Sequence, residues 1–255
     1  MKAQSILFLL QNNLLKTENL KIDISDGFTP YGGFGKSTAE YLSAEIKIGN
    51  TNKLKNFEKL RSEYIEISQQ SGAEVSGLDL AIQYFGHVTH YDSQTQQYTS
   101  NDWAYPEYDF LLVSTGTKVK THEHIQTLSK KDLLELIPVS EHVIASYLKS
   151  NINEFIVGLK TWSKHLEQLG YLTQQSSELK STLESHPDIL CVKPCGAMGA
   201  DVLFVLCDKE KTKNVQKKIS ELNLKIQATS EDLMAGVQAL NIFENKTNDL
   251  RPYVG

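Results

Sequence analysis

The sequence predicts an α+β protein built as two domains, 1–105 and 106–255. Three observations carry this reading. A glycine-rich loop joins a β-rich stretch to a strongly helical one near the amino end. A long helical region fills about 123–185. A β-loop-β-α-β succession then runs from Ile189 to about residue 229. The boundary is placed at Pro106, after the aromatic-rich Asn101-Asp102-Trp103-Ala104-Tyr105 stretch.

Taken in order, an amphipathic helix is expected over 2–16, with Ile6, Leu9, Leu10 and Leu14 facing inward. Its apolar run is too short to cross a membrane and lacks a small-residue cleavage site. A strand at 20–25 leads into Pro30-Tyr31-Gly32-Gly33-Phe34-Gly35-Lys36-Ser37-Thr38, and a helix follows to about 48. A second helix is expected over 53–70, with Leu54, Phe57, Leu60, Tyr64 and Ile67 at helical spacing. A short helix starts near Ser76, a good N-cap type, and ends at Gly86. Asp79 falls in its first turn, where the helix dipole favours a carboxylate.

Residues 87–92 read as a strand that points His87 and His90 to opposite faces, which argues against a shared metal ion. Residues 94–101 read as a polar turn and Tyr108–Ser114 as a buried strand. In the last third, strands are expected at 189–192, 201–206 and 224–229, with a helix at 210–222. The segment Lys193 to Ala200 reads as a loop of small residues, with Cys195 in a tight bend.

Composition narrows the function. Hydrophobic residues make up 40% and charged residues 22%, as in soluble globular proteins. The net charge of −5 supplies no broad basic face for nucleic acid. The lysines at 209, 211, 213, 217 and 218 are interleaved with Glu210 and read as a solvated helix face. The three cysteines, Cys191, Cys195 and Cys207, match no common zinc spacing and suggest reduced thiols in a cytoplasmic protein. His122 and His124 form only a weak metal pair.

The chemistry centres on the glycine-rich loop. Three glycines in four positions let backbone N–H groups approach a ligand closely. A helix starting at Lys36 or Ser37 adds unpaired N–H groups and a positive dipole end, which together make a phosphate cradle. Gly35-Lys36-Ser37 fits the end of a P-loop motif, but Pro30 stands where its first glycine belongs. A P-loop NTPase is therefore the less favoured reading.

Three separated segments resemble the GHMP small-molecule kinases. Pro30 to Ala39 resembles that family's P-x-x-x-G-L-G-S-S-A-A phosphate loop. Ser76-Gly77-Leu78-Asp79-Leu80-Ala81, followed by Tyr84-Phe85-Gly86, resembles its S-G-x-D-x-A…Y-G-G segment. Lys193 to Asp201 resembles its K-x-x-G-A-G-G-G-D motif. Thr115 to Thr121 further resembles a stretch of bacterial phosphomevalonate kinases. The resemblance implies a ribosomal-protein-like N-terminal α/β domain, incomplete at its start, and a ferredoxin-like C-terminal α+β domain.

It also implies ATP- and Mg²⁺-dependent phosphoryl transfer to a small acceptor. Phosphomevalonate, in the mevalonate route to isoprenoids, is the first choice; mevalonate or another sugar or alcohol is the alternative. Gly32, Gly33, Phe34, Gly35, Lys36, Ser37 and Thr38 would hold phosphates, with Gly196, Ala197 and Gly199 shaping a closing loop. Ser37 and a helical glutamate, Glu66 or Glu63, would ligate the metal. Asp79 would orient or deprotonate the acceptor, and Ser76, Gly77, Lys118, Lys120 and His122 would contact it.

Two departures stand out. Lys36 occupies a family serine position and is a candidate catalytic cation. Only 29 residues precede Pro30, so the family's P-G-[KR]-x-x-L-x-G-E-[YH] segment is absent from this sequence. A second copy or another chain is the expected cover for the incomplete sheet edge. A nucleotide-binding homologue without turnover is the competing reading.

Overall fold

The computed structural model describes residues 35–48, 54–70, 72, 75–92, 95, 97–116, 129–195 and 202–237. Expectations for 1–34, 117–128, 196–201 and 238–255 lie outside the described residues. The chain divides into two compact units. Among described residues the first comprises Ser37–Ser100 and 234–237, and the second Asn101–Leu233 with residues 35–36.

In the first unit, α1 (Lys36–Ile48), α2 (Phe57–Gln70) and α3 (Leu78–Phe85) pack around one core, beside a two-stranded sheet of β1 (Val88–Asp92) and β2 (Gln97–Asn101). Asn56 caps α2 by accepting from the Lys59 N–H at 3.0 Å. Phe57, Leu60, Tyr64 and Ile67 then recur at helical spacing, and all four are buried. They meet Tyr41, Leu42 and Ala44 of α1 and Leu80, Ala81 and Tyr84 of α3. Fully burying a side chain such as Leu60 contributes about 1.5–3 kcal/mol.

The polar 97–101 stretch, expected to be a turn, is strand β2. One residue anchors it. Tyr98 stacks on Phe85 and on Tyr91, with ring centroids 5.3 and 4.5 Å apart, and meets Phe57 edge-on. Cross-strand aromatic packing overrides the polarity of its neighbours.

The cap of α3 also differs from expectation. Gly77 is the N-cap residue, with φ 74 and ψ 10, rather than Ser76. The Ser76 hydroxyl nevertheless accepts from the Leu78 N–H at 3.2 Å. At the other end, Gly86 closes α3 as expected, at φ 74, and pairs with Ala235. A Cβ on Gly86 would stand 2.0 Å from the Gly236 nitrogen, so no larger residue fits that crossing.

The second unit is organised on an antiparallel sheet in the order β4-β5-β3-β6. Its strands are β3 (Tyr108–Ser114), β4 (Ile189–Cys195), β5 (Val202–Asp208) and β6 (Lys225–Thr229). The central pair β3 and β5 buries Leu111, Val113, Leu203 and Val205, and these meet Val215 and Ile219 of α7 (Thr212–Glu221). Helices α4 (Lys130–Leu148), α5 (Ile152–Gln168) and α6 (Gln174–Glu184) fill the expected helical region. Each begins at a side-chain cap, Ser129, Asn151 and Thr173 respectively.

Strand β4 continues three residues past the expected end, through Pro194 and Cys195, so Cys195 ends a strand rather than sitting in a tight bend. The physical reason is position. As an edge strand, β4 can turn the missing N–H of Pro194 away from its one neighbour.

A buried carboxylate ties the sheet to the segments that follow it. Asp109 accepts from the Thr212 hydroxyl at 3.0 Å, from the Ser230 N–H at 3.2 Å and from the Ser230 hydroxyl. It therefore pins the starts of α7 and of the short 3-10 turn Ser230–Asp232 to strand β3.

Candidate functional site

Three helices of the first unit assemble the candidate site. Helix α1 starts at Lys36, directly after Gly35 in the left-handed region at φ 64. The first turn of a helix carries N–H groups that its own ladder does not use and the positive end of the dipole. Ser37, in the first turn, is exposed. Its hydroxyl lies 3.2 Å from the Tyr64 hydroxyl on α2. Thr38 beside it is buried.

Tyr64 belongs to a tyrosine pair. Tyr41 lies beside it, with ring centroids 5.2 Å apart. Its own hydroxyl points to the Leu60 carbonyl at 3.4 Å. Burial raises the Tyr41 pKa far above the ordinary tyrosine value, and the charges of Glu45 and Glu63 and the neighbouring Tyr64 push it the same way. Glu63 therefore lies within electrostatic reach of Tyr41. Glu66 is exposed and accepts from the Gln70 side chain at 3.3 Å, one turn along its own helix.

One turn away on α2, Arg61 donates from Nη2 to the Ser76 carbonyl at 2.9 Å. Positions 61 and 64 are three apart on a helix and share a face, with Cβ atoms about 5–6 Å apart. The same face of α2 thus holds the start of α1 through Ser37 and the turn before α3 through Ser76. Asp79 follows that turn, in the first turn of α3. It is exposed by area, yet the protein around its carboxylate raises its pKa above the ordinary range by desolvation. Leu78 and Ile82 flank it, both large, apolar and 40% exposed.

The described residues bring Ser37, Tyr64, Arg61, Ser76, Gly77 and Asp79 onto this one framework. Gly32, Gly33, Phe34, Lys118, Lys120, His122, Gly196, Ala197 and Gly199 lie outside the described residues, as does the side chain of Lys36. Among the described residues, no group of three or more histidine, cysteine, aspartate or glutamate side chains could hold a metal ion. No described helix is long and apolar enough to cross a membrane.

Arg61 and Tyr64 were not singled out by sequence reasoning, which placed Tyr64 in the core. Arg61 did leave a signal, being one of only two arginines in a chain whose cations are otherwise lysines.

Comparison with solved structures identifies the architecture. A Streptococcus pneumoniae phosphomevalonate kinase, in complex with phosphomevalonate and AMPPNP, superposes with a TM-score of 0.64 at 16% identity, covering 91% of this chain and 80% of that one. The Methanococcus jannaschii mevalonate kinase gives 0.64 at 18% identity, covering 89% and 73%. The chain has the fold of the GHMP small-molecule kinases. A Lactococcus lactis galactokinase complexed with galactose shares this GHMP kinase fold, with a TM-score of 0.61 at 13% identity over 91% of this chain and 74% of that one. No protein-family model matches the sequence, and no curated protein matches it as a relative.

Proposed function

We propose that this protein transfers the terminal phosphoryl group of ATP to a small-molecule hydroxyl or phosphate acceptor. The observation that carries the reading is the common face of α2, where Tyr64 holds the first turn of α1 and Arg61 holds the turn before Asp79. Phosphoryl transfer needs a phosphate anchor and an acceptor-orienting group fixed relative to each other, because catalysis is mostly positioning and charge stabilisation.

In this reading the start of α1, with its positive dipole end, would take the nucleotide phosphates, and Gly32 to Lys36 would contribute to the same cradle. Mg²⁺ chemistry would supply charge neutralisation on the phosphates. The ion keeps several waters and needs only one or two protein ligands beside phosphate oxygens, so the lack of a described carboxylate cluster is compatible with it. The exposed Ser37 hydroxyl would fit one such position, with Glu63 or Glu66 of α2 as the candidate second ligand.

Asp79 would take the acceptor proton or orient the acceptor oxygen. Its raised pKa favours this role, since a stronger base accepts a proton more readily near neutral pH. The apolar pair Leu78 and Ile82 supports an acceptor with a carbon skeleton beside its reactive oxygen. Phosphomevalonate is the acceptor we favour and mevalonate the next, because both name fold neighbours with TM-scores of 0.64. Location in the cytoplasm and a covering partner for the first unit are parts of the same proposal.

The test is ADP release with phosphomevalonate, mevalonate, homoserine and galactose, for wild type and Asp79→Asn. Turnover with one acceptor that disappears in Asp79→Asn supports the kinase. Absence of turnover with all four, together with a nucleotide-induced rise in melting temperature, favours a binding homologue instead.

A further inference from the structure

Arg61 reaches three parts of the first unit at once. Its Nη2 donates to the Ser76 carbonyl at 2.9 Å. Its guanidinium carbon lies 5.9 Å from the centroid of the Tyr91 ring on β1. Its charge draws down the pKa of Tyr98 on β2, against the larger upward effect of burial. The inner nitrogen, Nε, is buried with no hydrogen-bond partner among the described residues.

Gly77 is shaped around the same side chain. A Cβ there would meet Arg61 Cγ and Nε at 3.1 Å each, and its φ of 74 is already the left-handed conformation that glycine tolerates best. The N–H of Leu78 then bonds back to Ser76, and Asp79 comes next.

We propose that Arg61 is the positioning residue for Asp79: its side chain clamps the Ser76–Gly77 turn and so fixes where the helix bearing the carboxylate begins. This rests on the reading of Asp79 as the acceptor-orienting group. Arg61 acts through geometry. The raised pKa of Asp79 has desolvation as its cause. The role asks for a planar fork that stands over a ring while one of its nitrogens reaches a carbonyl. A lysine ammonium is a point charge and cannot do both.

The experiment compares wild type, Arg61→Lys and Arg61→Gln in the 255-residue chain. Steady-state kinetics is followed on the acceptor that wild type turns over, and amide hydrogen exchange over Leu78–Ile82 and over β3 and β5. Both variants are expected to lose kcat by roughly ten- to a hundredfold, since misplacement by about 1 Å can cost that much. The KM for ATP stays unchanged. Exchange speeds up at the start of α3 and not in β3 or β5.

Wild-type kcat in Arg61→Lys, with unaltered α3 exchange, would overturn the proposal by showing that charge alone suffices. Equal loosening of α2, the β1–β2 sheet and α3 would overturn it too, leaving Arg61 a general packing residue. If wild type turns over no acceptor, the kinase reading fails by itself. Exchange then decides the clamp alone: selective loosening of Leu78–Ile82 supports it, and unchanged protection sinks it.

Discussion

The two units put their polar side chains to different uses. In the second, the sheet does the work. Strands β3 and β5 pair along seven residues each, and their apolar side chains fill the space beneath α7. Its conspicuous buried carboxylate, Asp109, is used up by three donors. In the first, the core is rich in tyrosines whose hydroxyls reach backbone carbonyls or a side chain of a neighbouring helix. Tyr84 bonds the Leu54 carbonyl at 2.8 Å, Tyr41 points to that of Leu60, and Tyr64 meets Ser37. The second unit spends its polar groups on its own architecture. The first aims Tyr64 and Arg61 at the two segments expected to meet nucleotide and acceptor, and it leaves Asp79 open to solvent.

The contrast breaks most sharply on Asp79. Asp79→Asn should cost roughly 10²–10⁴-fold in kcat, the usual range for a positioned proton acceptor. Its stability should not fall. The folded-state pKa is raised, so this group's contribution to stability is full below the unfolded carboxylate pKa and lost as pH rises through the folded value. At neutral pH the charged form is therefore a small liability that the amide relieves. Urea unfolding at pH 7 checks it. A marked loss of stability in Asp79→Asn would mean that the carboxylate is a structural group like Asp109, and the contrast between units would collapse.

Core truncation comes next in size. Leu206→Ala in β5 and Leu60→Ala in α2 each remove a fully buried side chain. Each should lower unfolding free energy by about 2–5 kcal/mol in a denaturant titration. Leu60 is adjacent to Arg61, and its carbonyl receives the Tyr41 hydroxyl. Leu60→Ala should therefore also weaken nucleotide binding, read by the nucleotide-induced shift in melting temperature, whereas Leu206→Ala should not. Equal effects of the two variants on nucleotide binding would show that the site does not depend on the α2 face.

Asp109→Ala is expected to be milder, at about 1–3 kcal/mol, the usual cost of orphaning buried donors. It leaves the Thr212 and Ser230 hydroxyls without this acceptor. Activity per folded molecule should stay as in wild type. A large drop in kcat at full folding would move Asp109 from architecture to chemistry.

How much of this was legible beforehand follows the same division. Strand β3 could be read to its ends, because Phe110 to Val113 is an uninterrupted apolar run of the kind a central strand needs. Pro194 misled for the opposite reason. Proline reads as a break, and only the position of β4 at the sheet edge makes it tolerable. Strand β2 was hidden because one residue, Tyr98, anchors five. Among the candidate site residues, Ser37, Ser76, Gly77 and Asp79 could be picked out through the resemblance of their segments to a kinase family. Arg61 and Tyr64 were not, because their roles depend on which loops the α2 face meets, and helical spacing reports only that a residue is buried.

The cysteines separate the units' chemistry at the smallest scale. All three are free, and all belong to the second unit. Burial pushes the Cys191 thiol up to about 12 and the Cys207 thiol to about 11. Both stay protonated at pH 8, and a buried thiol is a poor nucleophile. Cys195 is half-buried, at the end of the edge strand. A thiol reagent at pH 8 should therefore modify one equivalent quickly in the native chain and three after denaturation. The sign of the pH effect follows from the raised values. The stability held by Cys191 and Cys207 is complete below the ordinary thiol pKa and is lost as pH climbs through about 11 to 12. Alkaline unfolding should therefore start in the second unit, with exchange in β4 and β5 rising before that in α2. Fast modification of all three thiols at pH 8 would mean that the sheet opens at a cost far below that of global unfolding.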